Sequence, residues 1–248
     1  MGLFTPDFQK EGKGVRKDEK TPRLILFFQI YFRKFWNLIL LNMLYLLFCL
    51  PVVTIGPATA GFTKVLRNYA REEHAFLWGD FIEAFKKNFK QAFLFSLLEV
   101  LVFGFLLFDA MLIYNVTNQV MVTLSTAAIL FSLVVCIFMH YYVYNMMVTF
   151  KLTLKQLLKN AFIFCWTGFL RNLILTILLV GITYFVINWH ISVVLFLVAT
   201  VYLSLCGFLI NFTVNPLIKK HMIDGFDPET GERLEEKTEK YEGFNEEE

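Results

Sequence analysis

The sequence predicts an all-α fold: a polytopic helical membrane bundle of about five spans, with amphipathic helices on its cytoplasmic side. Three observations carry that prediction. Hydrophobic residues fill 57% of the 248 positions and charged residues only 18%, where a soluble domain carries about a quarter charged. The surplus, including 29 Phe, is more apolar surface than a water-soluble chain of this length can bury. The apolar residues also come in runs close to the roughly 20 that an α-helix needs to cross a bilayer, and Lys and Arg concentrate in alternate links between those runs. Helices follow from the solvent, because an isolated strand leaves its backbone polar groups unsatisfied in lipid.

Residues 1–23 contain Lys10, Lys13, Arg16, Lys17, Lys20 and Arg23 among acidic and small residues and are expected to form a basic, flexible arm. No short apolar core with a small-residue cleavage site opens the chain, so the first membrane segment is expected to be retained. A membrane domain is expected over 24–218. Leu24 to Lys34 is apolar but ends in Arg33 and Lys34, which places it at the interface. Spans are expected at 35–51, 92–114, 120–142, 169–187 and 191–217. Residues 219–248 hold eleven acidic and five basic residues and read as an exposed, mostly disordered tail.

The links at 115–119 and 188–190 lack Lys and Arg. Between the first two spans lie Lys64, Arg67, Arg71, Lys86, Lys87 and Lys90, and the next basic link holds Lys151, Lys155 and Lys159. By the positive-inside rule, spans two to five are expected to be two hairpins in the cell membrane with cytoplasmic ends and a cytoplasmic C-terminus. The first span is flanked by basic residues on both sides, which a single crossing cannot satisfy. Either the arm lies outside, or Val52 to Tyr69 folds back as a re-entrant element through a break at Gly56-Pro57; the second is preferred. A tandem repeat is visible at a shift of 69 residues, where Lys90-Gln-Ala-Phe-Leu-Phe95 matches Lys159-Asn-Ala-Phe-Ile-Phe164. Each unit would be an amphipathic helix followed by a membrane hairpin.

Trp78, Phe81, Ile82, Phe85 and Phe89 recur at helical spacing on one face, with Lys86, Lys87 and Lys90 on the other. Asp80 followed by Glu83 fits a capping box and predicts the helix start at Asp80. Such a helix can dock a partner, bind anionic lipid, or simply anchor the bundle. The stretch Pro51-Val-Val-Thr-Ile-Gly-Pro-Ala-Thr-Ala-Gly61 is expected to break the helix before it and to serve as a turn or a close-packing element, or to line a substrate path. It is no phosphate-binding loop, because Phe62 stands where the lysine belongs.

Glu99 falls within the second span, where a carboxylate costs a few kcal/mol unless it is paired or hydrated. It is the first functional candidate, with Arg171, His140 and Asn42 as possible partners; Asp109 reads as a structural contact. The four histidines, His74, His140, His190 and His221, are scattered, and Cys49, Cys136, Cys165 and Cys206 sit in separate apolar runs as packing residues. Nothing here points to an enzyme, a cofactor, a metal site or a nucleic-acid partner. The lipid bilayer is the partner that composition implies.

Leu50-Pro-Val-Val-Thr-Ile-Gly-Pro-Ala-Thr-Ala-Gly61, Trp78-Gly-Asp-Phe81 and Phe85-Lys-Lys-Asn-Phe-Lys-Gln91 together resemble the YesL family, bacterial membrane proteins of unknown function common in Firmicutes. The resemblance covers about residues 22 to 220. It implies motif positions at Thr54, Gly56, Pro57, Ala58, Gly61, Asp80, Phe81, Phe85, Lys86 and Asn88, without chemical roles, and it adds Trp78 on the same helix. It also implies a setting near carbohydrate uptake systems, with subunits of importers driven by ATP hydrolysis (ABC-type) as partners. The expected function is an accessory or regulatory protein of such uptake. The alternatives are a small transporter with its pathway between two hairpin repeats and Glu99 as the coupling carboxylate, or a membrane scaffold.

Overall fold

The structure is a computed structural model that describes residues 22–113 and 116–224. Most of the expected N-terminal arm and of the acidic tail lies outside the described residues. Among the described residues ten α-helices follow one another: α1 Arg23–Arg33, α2 Phe35–Cys49, α3 Ile55–Ala70, α4 Leu77–Lys87, α5 Phe89–Ile113, α6 Gln119–Met147, α7 Leu154–Thr167, α8 Phe169–Ile187, α9 Ile191–Leu197 and α10 Leu203–Met222. A 3-10 turn over Val52–Thr54 precedes α3, and a π-helical turn over Val198–Tyr202 joins α9 to α10. No strand occurs among the described residues.

Among the described residues four helices are long and apolar enough to cross a membrane: α5, α6, α8 and the continuous Ile191–Met222; α1 and α2 qualify as a fifth only as one pair bent by 72°. The chain is a multi-pass membrane protein. Helix α8 covers 169–187, whereas α5 starts three residues ahead of 92 and α6 extends past 142 to Met147. The added turn of α6 is buried, through Val143 to Met147, so neighbouring helices rather than lipid stabilise it.

The first span departs from expectation. With 15 residues, α2 is about 22 Å long, short of the roughly 30 Å of hydrocarbon. Its entry is fixed at Arg33 and Lys34: Arg33 pairs with Glu72, and Lys34 Nζ lies 5.3 Å from the Tyr69 ring centroid. Both partners sit at the C-terminus of α3, so the two cations stay there and the chain bends instead of carrying them into lipid.

Helices α2 and α3 form an antiparallel hairpin. Tyr45 stacks on Phe62 at 4.5 Å between centroids, and its hydroxyl is 3.2 Å from Thr59 Oγ1. The reversal is at Pro51, where Thr54 Oγ1 lies 2.6 Å from the carbonyl oxygens of both Phe48 and Pro51. Gly56 and Pro57 therefore do not form the expected break. They lie in the first turn of α3, where proline's missing N–H leaves no helical bond unmade.

Twelve of the sixteen residues of α3 are buried, which makes it the central helix. At its start Gly56 packs on Ala92 and Ser96, in the first two turns of α5. Near its end Arg67 Nη1 donates to Thr149 Oγ1 at 2.8 Å, just past α6. Because Gln91 Nε2 donates to the Leu152 carbonyl at 2.8 Å, the start of α5 and the end of α6 are level. Both ends of α3 thus meet the same end of the α5–α6 hairpin, although they are about 16 Å apart along the helix. The helix runs obliquely across the bundle, and the hairpin tip reaches only the first turns of α5.

That end also carries Arg71, Lys86, Lys87, Lys151, Lys219 and Lys220 and is called the basic end below. The core lies there. One cluster joins α1, α2, α3, α4 and α10 around Leu41, Leu66, Phe81 and Phe208; a second joins α5 to α8 and α10 around Tyr142, Met146, Leu157 and Ile218. Toward the opposite end the spans separate: no residue in the most apolar stretch of α5 or α6 is buried within the chain, as expected for surface that meets lipid.

The element order amphipathic helix, span, span does occur twice, as α4-α5-α6 and then α7-α8 with the last span. The 69-residue register does not hold, because Lys90–Phe95 opens the span α5 whereas Lys159–Phe164 lies within the amphipathic α7. Both segments meet the same demand, alternating Lys and Phe on a helix at a basic interface, and that demand reproduces the pattern without equivalence.

Candidate functional site

The site begins with the carboxylate. Glu99 lies three turns into α5, and the neighbouring strip of α6 presents His140 and Tyr144, four residues apart and so on one face. His140 Nδ1 is 2.6 Å from Glu99 Oε1, and the Tyr144 hydroxyl donates to Oε2 at 3.5 Å. The Glu99 side chain is 20% exposed and that of His140 43%. A carboxylate at this depth needs polar partners, and α6 supplies two of them.

The cluster opens on a cavity of ≈ 170 Å³ between α2, α3, α6 and α10, walled by Tyr45, Thr59, Thr63, His140, Tyr144 and Asn211. At about 30 Å³ per water, that is space for roughly five waters, well below the roughly 300 Å³ at which pockets begin to enclose an organic ligand. Its lining donates and accepts hydrogen bonds. Chemically the arrangement can hold water and a proton, or orient a very small polar species; it has no nucleophile paired with a base. Among the described residues no three His, Cys, Asp or Glu converge as a metal site would require, and the four cysteines are free.

Neither of the other proposed partners bonds to Glu99. Asn42, fully buried, uses Nδ2 to donate to the Val198 and Ala199 carbonyls at 2.9 and 2.8 Å, and its Oδ1 accepts from Ser204 N at 2.9 Å. It thereby pins α2 to the π-helical turn of the last span, whose altered bonding leaves backbone groups to satisfy. Arg171, in the first turn of α8, makes no ion pair with Glu99. Asp109 lines a separate shallow cleft with Ser125 toward the opposite end.

The motif positions converge on α3 and α4 rather than on the carboxylate. Gly56 and Gly61 are contact points: a Cβ on Gly61 would stand 2.8 Å from the Phe81 carbonyl oxygen and 3.1 Å from its ring. Ala58 and Pro57 are buried beside them. Phe81, fully buried, fills the notch at Gly61 and packs edge-on to Phe48 at 5.2 Å, with Phe85 next to it at 5.1 Å from Phe48. Asp80 does not open α4. The helix begins at Leu77 with Phe76 as its cap, and Asp80 Oδ2 reaches back to accept from Phe76 N at 3.1 Å and from Asn68 Nδ2 at 3.3 Å. Its carboxylate thus does what the acidic residue of a capping box does, while tying α4 to α3. Asn88 closes α4 by donating from Nδ2 to the Ala84 carbonyl at 3.0 Å. Lys86 is exposed, as are Trp78 at 60% and Phe76 at 70%.

Sequence reasoning singled out Glu99 and His140 but missed Tyr144 and the hydroxyls of Tyr45, Thr59 and Thr63. One signal was available: His140, Tyr141, Tyr144 and Asn145 form a polar strip at the end of an otherwise apolar span.

A family model described as "Protein of unknown function, DUF624" matches residues 38–110, from α2 through most of α5. The matched segment contains Gly56, Gly61, Phe81 and Glu99. No curated protein and no solved structure matches the chain.

Proposed function

We propose that this protein is a membrane-embedded accessory or regulatory component of carbohydrate uptake, working beside an ABC-type importer. The observation that carries the proposal is the outer face of α4. Phe81 and Asp80 fasten that helix to α3, so Phe76, Trp78, Lys86 and Lys87 are held outward on a rigid support at the basic end. By the positive-inside rule the basic end faces the cytoplasm, where an importer's ATPase subunits and membrane domains present their own surfaces. Aromatic and basic side chains on a rigid helix are suited to such contact. The resemblance to the YesL family supplies the carbohydrate setting. The test is affinity capture of the tagged chain from native membranes, with growth on single sugars after deletion. Recovery of importer subunits, lost in the double variant Phe76→Ser with Trp78→Ser, is expected; a chain that captures no importer subunit and whose loss leaves sugar uptake unchanged removes the reading.

A second reading, a small transporter, is favoured by one observation: the Glu99–His140–Tyr144 cluster borders a cavity inside the bundle whose largely apolar wall carries the hydroxyls of Tyr45, Thr59 and Thr63. Its size fits a proton or water path better than a sugar. In that reading Glu99→Gln abolishes flux in reconstituted vesicles while the protein stays folded, and unchanged flux removes it.

A further inference from the structure

Pro216, inside α10, has no N–H to donate to the Phe212 carbonyl one turn earlier. Arg23 takes that place: Nη2 donates to the Phe212 carbonyl at 3.3 Å, and the guanidinium lies 5.6 Å from the Phe212 ring centroid. A cation is thereby seated where α1 crosses α10 at the basic end. Opposite it, α3 ends in a Schellman turn, with Glu73 N donating to the Asn68 carbonyl at 2.9 Å and Glu72 N to the Tyr69 carbonyl at 3.0 Å. Glu72 holds the left-handed position of that turn at φ 57°, where glycine is usual. The turn sets Arg71 beside Glu73, Nη1 to Oε1 3.8 Å.

Between these elements lies a cleft of ≈ 560 Å³ lined by Arg23, Arg71, Glu73, Asn215 and Lys219. Three cations face one carboxylate, and that carboxylate is shared, since Arg67 Nη2 also approaches Glu73 at 3.7 Å. Two groups in the wall lack partners among the described residues. Asn215 is 4% exposed, yet neither its Nδ2 nor its Oδ1 is hydrogen-bonded, and Arg71 Nη2 is buried without an acceptor. Buried polar groups are nearly always satisfied, so a cleft with surplus positive charge and two idle donors is shaped for an anion.

We propose that this cleft binds a phosphate group, presented by the headgroup of an anionic phospholipid. The guanidiniums of Arg23 and Arg71 match phosphate oxygens in planar forks, Lys219 adds a point charge, and the Asn215 amide donates from the wall. The site lies at the basic end, at the level of the headgroups, where basic pockets between spans recognise anionic lipid. Leu26, Ala70, Phe212, Pro216 and Ile223 complete the lining; they suit the glycerol and acyl portion of a lipid and have no use for a free anion. The proposal does not depend on α4 or on Glu99.

The test uses the full chain in nanodiscs of phosphatidylcholine with phosphatidylglycerol, the retained lipid being counted by native mass spectrometry. Phosphatidylglycerol is expected to be retained over phosphatidylcholine. Arg71→Gln and Lys219→Gln are each expected to weaken retention about fivefold, while Lys155→Gln, at an exposed lysine of α7 outside the cleft lining, leaves it unchanged. Lys219 is exposed, so its variant keeps the test open should Arg71→Gln fail to fold. In a second arm, inorganic phosphate is added to nanodiscs of phosphatidylcholine alone. Phosphate stabilisation that both variants lose, with no preference for phosphatidylglycerol, upholds the phosphate chemistry and overturns the lipid as its source. Equal retention by wild type and both variants, with no effect of phosphate, overturns the site.

Discussion

Replacing Gly56 by Ala adds one methyl group where α3 crosses α5. The new Cβ would overlap the carbonyl oxygen of Ala92 and stand 2.5 Å from Ser96 Oγ and 2.9 Å from the Ala92 carbonyl carbon. Carbon–oxygen contacts settle at about 3.3–3.6 Å, so the two helices must part by about 1 Å at the crossing. Ser96 can rotate away, but the Ala92 carbonyl belongs to a helix backbone and cannot. Overpacking of this kind costs about 1–3 kcal/mol, and the gain from replacing glycine within a helix returns at most about 1 kcal/mol. Because the clash is with backbone, the cost falls in the upper part of that range, about 2–3 kcal/mol, and the expected net loss is about 1–2 kcal/mol. Gly104, in the same helix α5, has nothing within 4 Å of its Cβ position. Gly104→Ala collects only the propensity gain and should be stabilising by up to about 1 kcal/mol. Both variants and the wild type are compared by SDS titration in one detergent, followed by far-UV circular dichroism. The reasoning is refuted if Gly56→Ala is as stable as wild type, or if Gly104→Ala falls by the same amount.

Asn42→Leu keeps the side-chain volume and removes three hydrogen bonds to the last span; at about 0.6–1.7 kcal/mol each within a membrane, the same titration should show a loss of about 2–5 kcal/mol. Phe81→Ala empties the notch at Gly61 and should lower stability by about 3–5 kcal/mol, with α4 becoming the first segment cut in limited proteolysis; an intact α4 would contradict its assigned anchor. Thr153→Ala removes the capping box that opens α7, where Thr153 Oγ1 accepts from Gln156 N and Gln156 Oε1 accepts from Thr153 N, and should lower stability by about 1 kcal/mol. Glu99→Leu leaves His140 and Tyr144 without their acceptor and should destabilise by about 1–3 kcal/mol, whereas Glu99→Gln, which keeps a hydrogen-bonding group in place, should cost less than half as much; equal losses would argue that the cluster is not hydrogen-bonded in the membrane.

What could be read from the sequence was what depends on one segment at a time. Apolar run length sets α8 at 169–187 because most of that helix faces outward as apolar surface, with Asn172, Leu175 and Val186 alone buried. The α2–α3 hairpin depends on two segments at once. Pro51 and Pro57 are equal candidates for the break in sequence, and only the seat of Gly56 on Ala92 shows that the chain has already resumed its helix there. Asp80 was legible as a capping residue but not in which direction it caps, since a carboxylate can close the turn ahead or reach back to the turn behind. Glu99 stood out as a rare charge in an apolar run, but its partners are 41 and 45 residues away on a helix whose rotation about its own axis no local pattern reports.

The same physics explains why the core sits at one end. In lipid there is no hydrophobic drive to bring helices together, so association rests on close backbone approach and on polar contacts between spans. Both devices are concentrated in the basic half of this chain; outside it the Thr183 and Tyr202 hydroxyls, 2.7 Å apart, link α8 to the last span. Gly56, Gly61, Gly168 and Gly207 each have a neighbouring helix within 3 Å of a Cβ position, while Gly104 and Gly181, toward the other half, have nothing within 4 Å. The buried amides Asn68, Asn145, Asn172, Asn211 and Asn215 lie there too, and Asn42 marks how deep the polar network reaches, at the π-helical turn. Beyond it the spans have neither glycine contacts nor amides to hold them. The molecule is therefore a tightly built plate around α3, from which two apolar hairpins extend into lipid, and the groups able to do chemistry or bind a ligand lie at and within that plate.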